Sequence, residues 1–399
     1  MKKPLPLTVK IKPVIIALLV ILLFTVSLSC TGDNGSSGSE DIVTNFERML
    51  AQVPYSFLEN YDIWFSSPGT LKTLYDLEEL DSLASLMALP ADERQAAMQA
   101  LFTIPYPHWN ASGSDMASVV GWDWLMIGNT IFCETPPPRG FVLAEGNFDE
   151  TAIVEKLTGH GYASSTYKNY TYYHLNEDME TNMTGELGRM FMAQINRVGF
   201  PANFLVTAPD TPAFLALLDT ISGDNNNLLD NPSAAAIAAG LGEPLGAVII
   251  TPEKIITHNP DQIGNVTPFS IPAAQNWGIL HDYALAGFGY RDDGQNRYWD
   301  ICLYYTDKSE AEADAAELVS RLESYVFMTQ YPGSIPYPLT DVWEVDEPVI
   351  HEYSEGVTLT VSNHYLPETT GSHSLFSSII ETRDTLFLVP DPTPFLNNP

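Results

Sequence analysis

The chain has 399 residues, with 50 acidic residues against 18 basic ones and a formal net charge of −32. Hydrophobic residues make up 45% of it and aromatics 11%, enough for a sizeable core and too many for a disordered chain. A surface this acidic repels phosphate backbones and anionic headgroups, which excludes nucleic acid as a partner.

The first thirty residues form an address. Lys2, Lys3, Lys10 and Lys12 make a basic start, Val14 through Val26 is an apolar run, and Ser27-Leu28-Ser29-Cys30 closes it with small residues around a leucine. The run is shorter than the roughly 20 residues a spanning helix needs, so a cleaved signal is expected. These features resemble the signal of a bacterial lipoprotein. That class is cut before the cysteine, which carries a diacylglycerol on its sulfur. It usually has leucine three residues before the cysteine; here Ser27 stands there and Leu28 is one place late. The resemblance covers only the N-terminus. It implies a signal peptide over residues 1–29, lipid on Cys30, and a location on the extracytoplasmic face of the cell membrane. Residues 30–40 follow as a flexible tether, since Thr31 to Glu40 has no apolar residue. All four basic residues of the signal are among the 18, so 14 remain against the 50 acids once it is removed. The lipid, rather than the protein surface, is expected to hold the membrane.

Asp41 to Val53 places Ile42, Phe46, Met49, Leu50 and Val53 on one helical face, and Pro54 stops it. Tyr61 to Phe65 reads as a strand, and Ser67-Pro68 opens a helix through Leu71 and Leu74. A second helix runs from Pro90 to Leu101, and residues 104–114 form a loop. The unit then recurs. Gly140 to Ala144 is a buried-type strand, and Asn147 or Asp149 caps a helix that ends at Gly159. Tyr162–Tyr167 and Tyr170–Leu175 make an aromatic hairpin turned by Lys168-Asn169. Asp178 to Val198 is expected to be a helix.

The third unit is a strand at Ala202–Thr207 with a helix opened by Asp210-Thr211-Pro212. Ser222 to Asn231 is a polar loop, Pro232 to Leu241 an alanine-rich helix, and Leu245 to Ile250 a strand. In the fourth, Tyr283–Tyr290 and Arg297–Tyr305 alternate around an Asp292-Asp293-Gly294 turn. This register places Trp299, Ile301 and Leu303 on one face and Asp300, Cys302 and Tyr304 on the other. Asp307 then caps a helix carrying Ala311, Ala315, Leu318, Val319 and Leu322. The tail should add strands at Val342–Tyr353 and Val357–His364, a short helix near Leu375–Ile380 and a strand at Leu386–Pro390.

Four strand–cap–helix units, two with a hairpin, predict an α+β fold of two similar halves. Each half would hold a mostly antiparallel sheet with helices on one face. The halves span residues 41–199 and 200–330, with a strand-rich extension over 331–399.

No nucleophile elbow, zinc helix, phosphate loop or dinucleotide fingerprint occurs. No catalytic residue, cofactor or metal ligand is therefore assigned. Ser165-Thr166-Tyr167-Lys168 has the Ser-x-x-Lys spacing of penicillin-binding proteins and serine β-lactamases. It lies in a hairpin and lacks the companion Lys-Thr-Gly, so a surface turn is expected. Asp224-Asn225-Asn226-Asn227 begins like a calcium loop and then puts Leu228 where an oxygen ligand belongs. Cys133 and Cys302 sit in apolar strand-like runs, as a disulfide or as two buried thiols. The least bland feature is aromatic. Trp109, Trp122, Trp124, Tyr162, Tyr167, Tyr170, Tyr172 and Tyr173 lie within one half, and Trp122, Trp124, Tyr167, Tyr170 and Tyr172 are the candidate binding surface for a protein or carbohydrate partner. The expected function is that of a membrane-tethered, non-enzymatic binding protein. The alternative is a hydrolase of cell-wall or extracellular polymer.

Overall fold

Central strands that are buried on both faces give this chain one large sheet. The structure is a computed structural model and describes residues 43–107, 116–134, 140–256, 271–327, 337–366 and 385–393. The expected signal, Cys30, the tether, Trp109 and the helix near Leu375–Ile380 lie outside the described residues. The strands are β1 (Asp62–Ser66), β2 (Ile127–Glu134), β3 (Val142–Gly146), β4 (Ala163–Tyr167), β5 (Tyr170–His174), β6 (Arg197–Gly199), β7 (Leu205–Ala208) and β8 (Gly246–Ile250). They continue as β9 (Leu285–Asp292), β10 (Arg297–Tyr305), β11 (Val326–Phe327), β12 (Tyr337–Pro338), β13 (Trp343–Val345), β14 (Val349–Glu352) and β15 (Val357–Tyr365). Thirteen of them form a single sheet in the order β13-β15-β10-β9-β8-β1-β2-β3-β7-β6-β5-β4, with β14 paired to β15. The pairings in it are antiparallel, from Tyr298 opposite His364 on one side to Tyr167 opposite Tyr170 on the other. The fold is α+β.

The helices that matter here are α1 (Asn45–Leu50), α2 (Pro68–Leu74), α3 (Leu83–Ala88), α4 (Ala91–Leu101), α5 (Glu150–Gly159), α6 (Glu186–Phe191), α7 (Thr211–Ile221), α8 (Pro232–Leu241) and α9 (Lys308–Glu323). They cover both faces of the sheet, where coverage of one face was expected. Trp64, Phe132, Val248, Phe288, Trp299, Ile301 and Leu303 point to a first core with Leu71, Leu101, Ile153, Phe191, Leu318 and Leu322. Ile63, Phe65, Ile131, Leu143, Ala247, Ile249 and Cys302 point to a second core with Phe46, Leu50, Phe214, Leu217, Ile237 and Leu241. A two-residue period puts successive side chains on opposite faces, so strands apolar at every position need cover on both. Among the described residues no helix is long and apolar enough to cross a membrane.

The boundary expected near Phe200 falls inside the sheet. β7 pairs with β3 and β6, and β8 pairs with β1. The strand-rich extension joins the same sheet through β15 on β10. From Val43 on, the chain is one compact unit.

The β9–β10 hairpin has the predicted register, with Trp299 opposite Tyr290 and Ile301 opposite Phe288. Cys302 lies on the α8 side rather than the α9 side, because Leu318 and Leu322 of α9 pack into the first core. Cys133 and Cys302 are both buried, on β2 and β10. Four strand spacings separate those strands, about 19 Å at the usual interstrand distance, so the two do not bridge.

Four expected elements differ. The strand expected over Val342–Tyr353 is two, β13 and β14, each paired to β15. The strand expected at Ala202–Thr207 starts at Leu205 after a 3-10 turn at Pro201–Asn203. Two more are changed in kind. Only Glu186–Phe191 of the helix expected over Asp178–Val198 is helical, and Arg197–Gly199 is a strand. Buried Arg197 explains the change. It donates to the carbonyls of Leu175, Asn176 and Asn196 and pairs with Asp178, which holds the segment between β5 and β7. The strand expected at Leu386–Pro390 is a single 3-10 turn, Leu386–Leu388, whose neighbouring carbonyls of Phe387 and Val389 accept from Arg321.

Candidate functional site

Four chain segments end together beside the central strands. Thr44 caps α1 with a reciprocal bond to Glu47, which fixes where Asn45 and Phe46 stand. β1 leads into Ser67, whose hydroxyl lies 2.7 Å from both the Thr70 hydroxyl and the Asn129 side-chain carbonyl. Gly242 ends α8 at φ 67°, a left-handed turn that favours glycine, and swings Glu243 and Pro244 out ahead of β8. The β9–β10 turn supplies Arg291, Asp292, Asp293 and Tyr298. Together these residues line a cleft of about 300 Å³. That size is at the lower end of small-ligand sites.

Hydrogen bonds hold its walls. Asp292 accepts from the Tyr75 hydroxyl at 2.6 Å, the Arg297 Nε at 3.0 Å and the Tyr290 hydroxyl at 3.2 Å. Arg291 makes a two-toothed pair with buried Asp300 at 2.5 and 2.8 Å, and Ser362 donates to the same carboxylate. The Asp300 bonds hold the Arg291 guanidinium more firmly protonated, and its carbon lies 4.8 Å from the Tyr298 ring centre. Asp293 accepts from the backbone N–H groups of Asn296 and Gln295 at 2.6 and 2.8 Å. Those bonds push its carboxyl below the ordinary range, so it is ionised at neutral pH.

A second polar chain runs away from the cleft floor. Asn129 donates to Glu145, which takes two further bonds from Arg48 at 2.6 and 2.9 Å. Burial opposes ionisation of Glu145, and the bonds from Arg48 and Asn129 outweigh it and lower its carboxyl.

The aromatic residues singled out in the sequence are brought together only in part: Tyr167, Tyr170 and Tyr172 share the β4–β5 hairpin, whereas Trp122 and Trp124 pack against the core on the other face. Trp122 is fully buried in the first core, its ring 6.1 Å from Phe191, and so offers no face to a partner. Trp124 is half-buried and packs on Tyr106 and Phe102 at 4.9 and 5.3 Å. Tyr167, Tyr170 and Tyr172 lie against the second core on the other side of the sheet, with Tyr172 5.2 Å from Phe214. Core packing accounts for Trp122, while the three tyrosines are only partly buried. Ser165 stands in β4 and Lys168 at the hairpin turn, where its ammonium bridges Asp219 and Asp224 at 2.6 Å each. A lysine thus sits on the acidic loop that began like a calcium site. Among the described residues no group of three or more His, Cys, Asp or Glu is placed to hold a metal ion.

The cleft residues carried one sequence signal, the Asp292-Asp293-Gly294 turn, and it was legible only as a turn. Nothing local links residue 293 to residues 45, 70 and 243.

No protein-family model matches the sequence, and no curated protein does. Among solved structures, crystal forms III, I and IV of TP0453 are similar to this chain at TM-scores of 0.34, 0.35 and 0.36. Identity is 10%, 9% and 9%. The matches cover 83%, 82% and 82% of this chain and 97%, 96% and 96% of those chains.

Proposed function

We propose that this protein is a lipid-tethered, extracytoplasmic binding protein, anchored through Cys30, and that the cleft at the β9–β10 turn receives its ligand. The observation that carries the reading is the fixed geometry of the cleft wall. Asp292, Asp293 and Arg291 are each held by two or more hydrogen bonds. Groups fixed before binding lose little freedom when a ligand arrives. The same bonding does not suit Asp293 to proton donation. A carboxylic acid that delivers a proton needs a raised pKa, and that of Asp293 is lowered.

Two measurements test the reading. Intact mass of membrane-extracted protein should show residue 30 as the N-terminus with added lipid mass. A different terminus without that mass rejects the anchor. Protein purified from its native membrane should carry a small molecule detectable by mass spectrometry, and Thr70→Trp should lose it. Thr70 is exposed at the cleft edge, and indole there fills the space. Equal recovery from both proteins rejects the cleft.

A further inference from the structure

We infer that the cleft selects a small organic cation bearing N–H donors, such as a polyamine or an amino-substituted sugar. The inference rests on the cleft being the ligand site and names the chemistry it takes.

The charges that line it are Glu243, Asp292 and Asp293 against Arg291. Two of the four are spent inside the protein. Arg291 is tied in two bonds to Asp300, with one side against Tyr298. The Asp292 side chain is 1% exposed and paired to Arg297. The remaining two face the opening. Glu243 is exposed on the α8–β8 turn, and Asp293 is exposed on the β9–β10 turn. Asp293 uses its lone pairs on its own turn and keeps its full negative charge. Both are solvent-exposed residues that line one cavity. The other rim groups, Thr70 and Asn45, are neutral.

An anion entering here would meet two carboxylates before reaching a guanidinium that already has its partner. A neutral polyol would find acceptors but leave both charges uncompensated. An ammonium donor compensates both, each contact being the modest one that exposed charges make, and the two act together on one ligand. The field of a chain with 50 acids and 18 bases also concentrates cations at the mouth.

The test is calorimetric titration of the folded protein with spermidine, glucose and citrate at one ionic strength. Spermidine should bind saturably at one site, and glucose and citrate should not. Glu243→Gln with Asp293→Asn keeps the shape and the turn acceptors and removes both charges. It should weaken spermidine by about tenfold or more. Glu155→Gln with Glu323→Gln makes the same charge change on exposed helix positions away from the cleft and should alter it less than about twofold. Melting temperatures confirm that each variant is folded. Equal weakening by both pairs means diffuse attraction and overturns the inference. Saturable glucose or citrate binding that Thr70→Trp abolishes leaves the cleft as the site and overturns its cation preference. Spermidine binding that Thr70→Trp leaves unchanged overturns the inference and the cleft assignment together.

Discussion

The region of the sheet covered by α9 and the region covered by α8, on opposite faces, are filled by opposite means. On the first face the side chains are large. Phe288 stacks on Trp299 at 6.3 Å, Trp299 meets Phe387 edge-on at 5.9 Å, and Tyr325 meets Phe387 at 4.8 Å. Charged groups are sunk among them. Arg321 of α9 has no exposed surface and donates to the carbonyls of Gly278, Phe387, Val389 and Pro390 while pairing with Glu317. Asp314, two turns earlier on the same helix face, is 1% exposed and takes bonds from the Tyr305 hydroxyl and the His281 backbone. On the second face the side chains under α8 are small, although Phe46, Phe65 and Phe214 fill other parts of that core. α8 reads Pro-Ser-Ala-Ala-Ala-Ile-Ala-Ala-Gly-Leu and lies directly on Gly287 and Gly289 of β9. A β-carbon added at Gly240 would come within 2.7 Å of the Cys302 sulfur. The first face is held by what its side chains reach. The second is held by how little stands between helix and strand. Truncation should therefore break the one, and enlargement the other.

The largest effect is expected at Arg321. Arg321→Met keeps the apolar stem and leaves four carbonyls without their donor. It should lower unfolding free energy by about 3–5 kcal/mol, read from urea unfolding midpoints. Arg321→Lys should recover only a part, since one ammonium cannot span four acceptors. A loss below about 1 kcal/mol would remove the contrast between the faces. Enlargement of the second face comes next. Gly287→Ala drives a methyl into Ile237, a stiff β-branched neighbour, and should cost about 1–3 kcal/mol. Ile237→Ala is harmful alone, but the double variant should lose less than the two losses together. Strict additivity would mean that close approach is not what limits this face.

A smaller effect depends on pH. The ring Nδ1 of His281 lies 2.7 Å from Asp314 Oδ1. That bond raises the imidazole pKa, with Asp314, Glu310 and Asp282 adding charge, and Asp307 also interacts with it. A raised folded value contributes stability that is complete below the unfolded pKa of about 6.5 and fades as pH climbs through the folded value. Urea midpoints should therefore fall from pH 6 to pH 8.5, and His281→Gln should flatten that slope. The smallest effect belongs to neither face. Added salt should raise the melting temperature by screening the excess acid. Calcium should do no more than magnesium at equal ionic strength, because Lys168 occupies the Asp224 loop.

What the sequence made legible was whatever is decided nearby. Asp149, Asp210 and Asp307 cap their helices by accepting from Ala152, Ala213 and Ser309. The β9–β10 register follows from its own alternation and turn. The segment from Asp178 to Val198 was misread because Met192, Ile195 and Val198 recur at a helical three-residue spacing, whereas Arg197 is fixed by carbonyls and an acid around it. Trp122 and Trp124 were read as surface, although ring contacts across the fold bury one fully and the other partly. The cleft was invisible for the same reason. Thr70, Glu243 and Asp293 meet only because β8 sits between β1 and β9.

That placement of β1 also sets an order of events in time. Ile63 pairs with both Cys133 and Ile249. As the chain is made from its N-terminus, β2 can complete one edge of β1 early, while the other edge waits until residue 250 has appeared. β1 is buried along its whole length in the finished fold, so during that wait it is an apolar strand with an open row of hydrogen-bonding groups. Such strands are where partly folded chains stick to one another. The hairpins β4–β5 and β9–β10 close locally and quickly, but closure of the centre spans a long stretch of chain and is slow. A chaperone that holds this protein should therefore be needed most for its first strand, and for as long as β8 is missing.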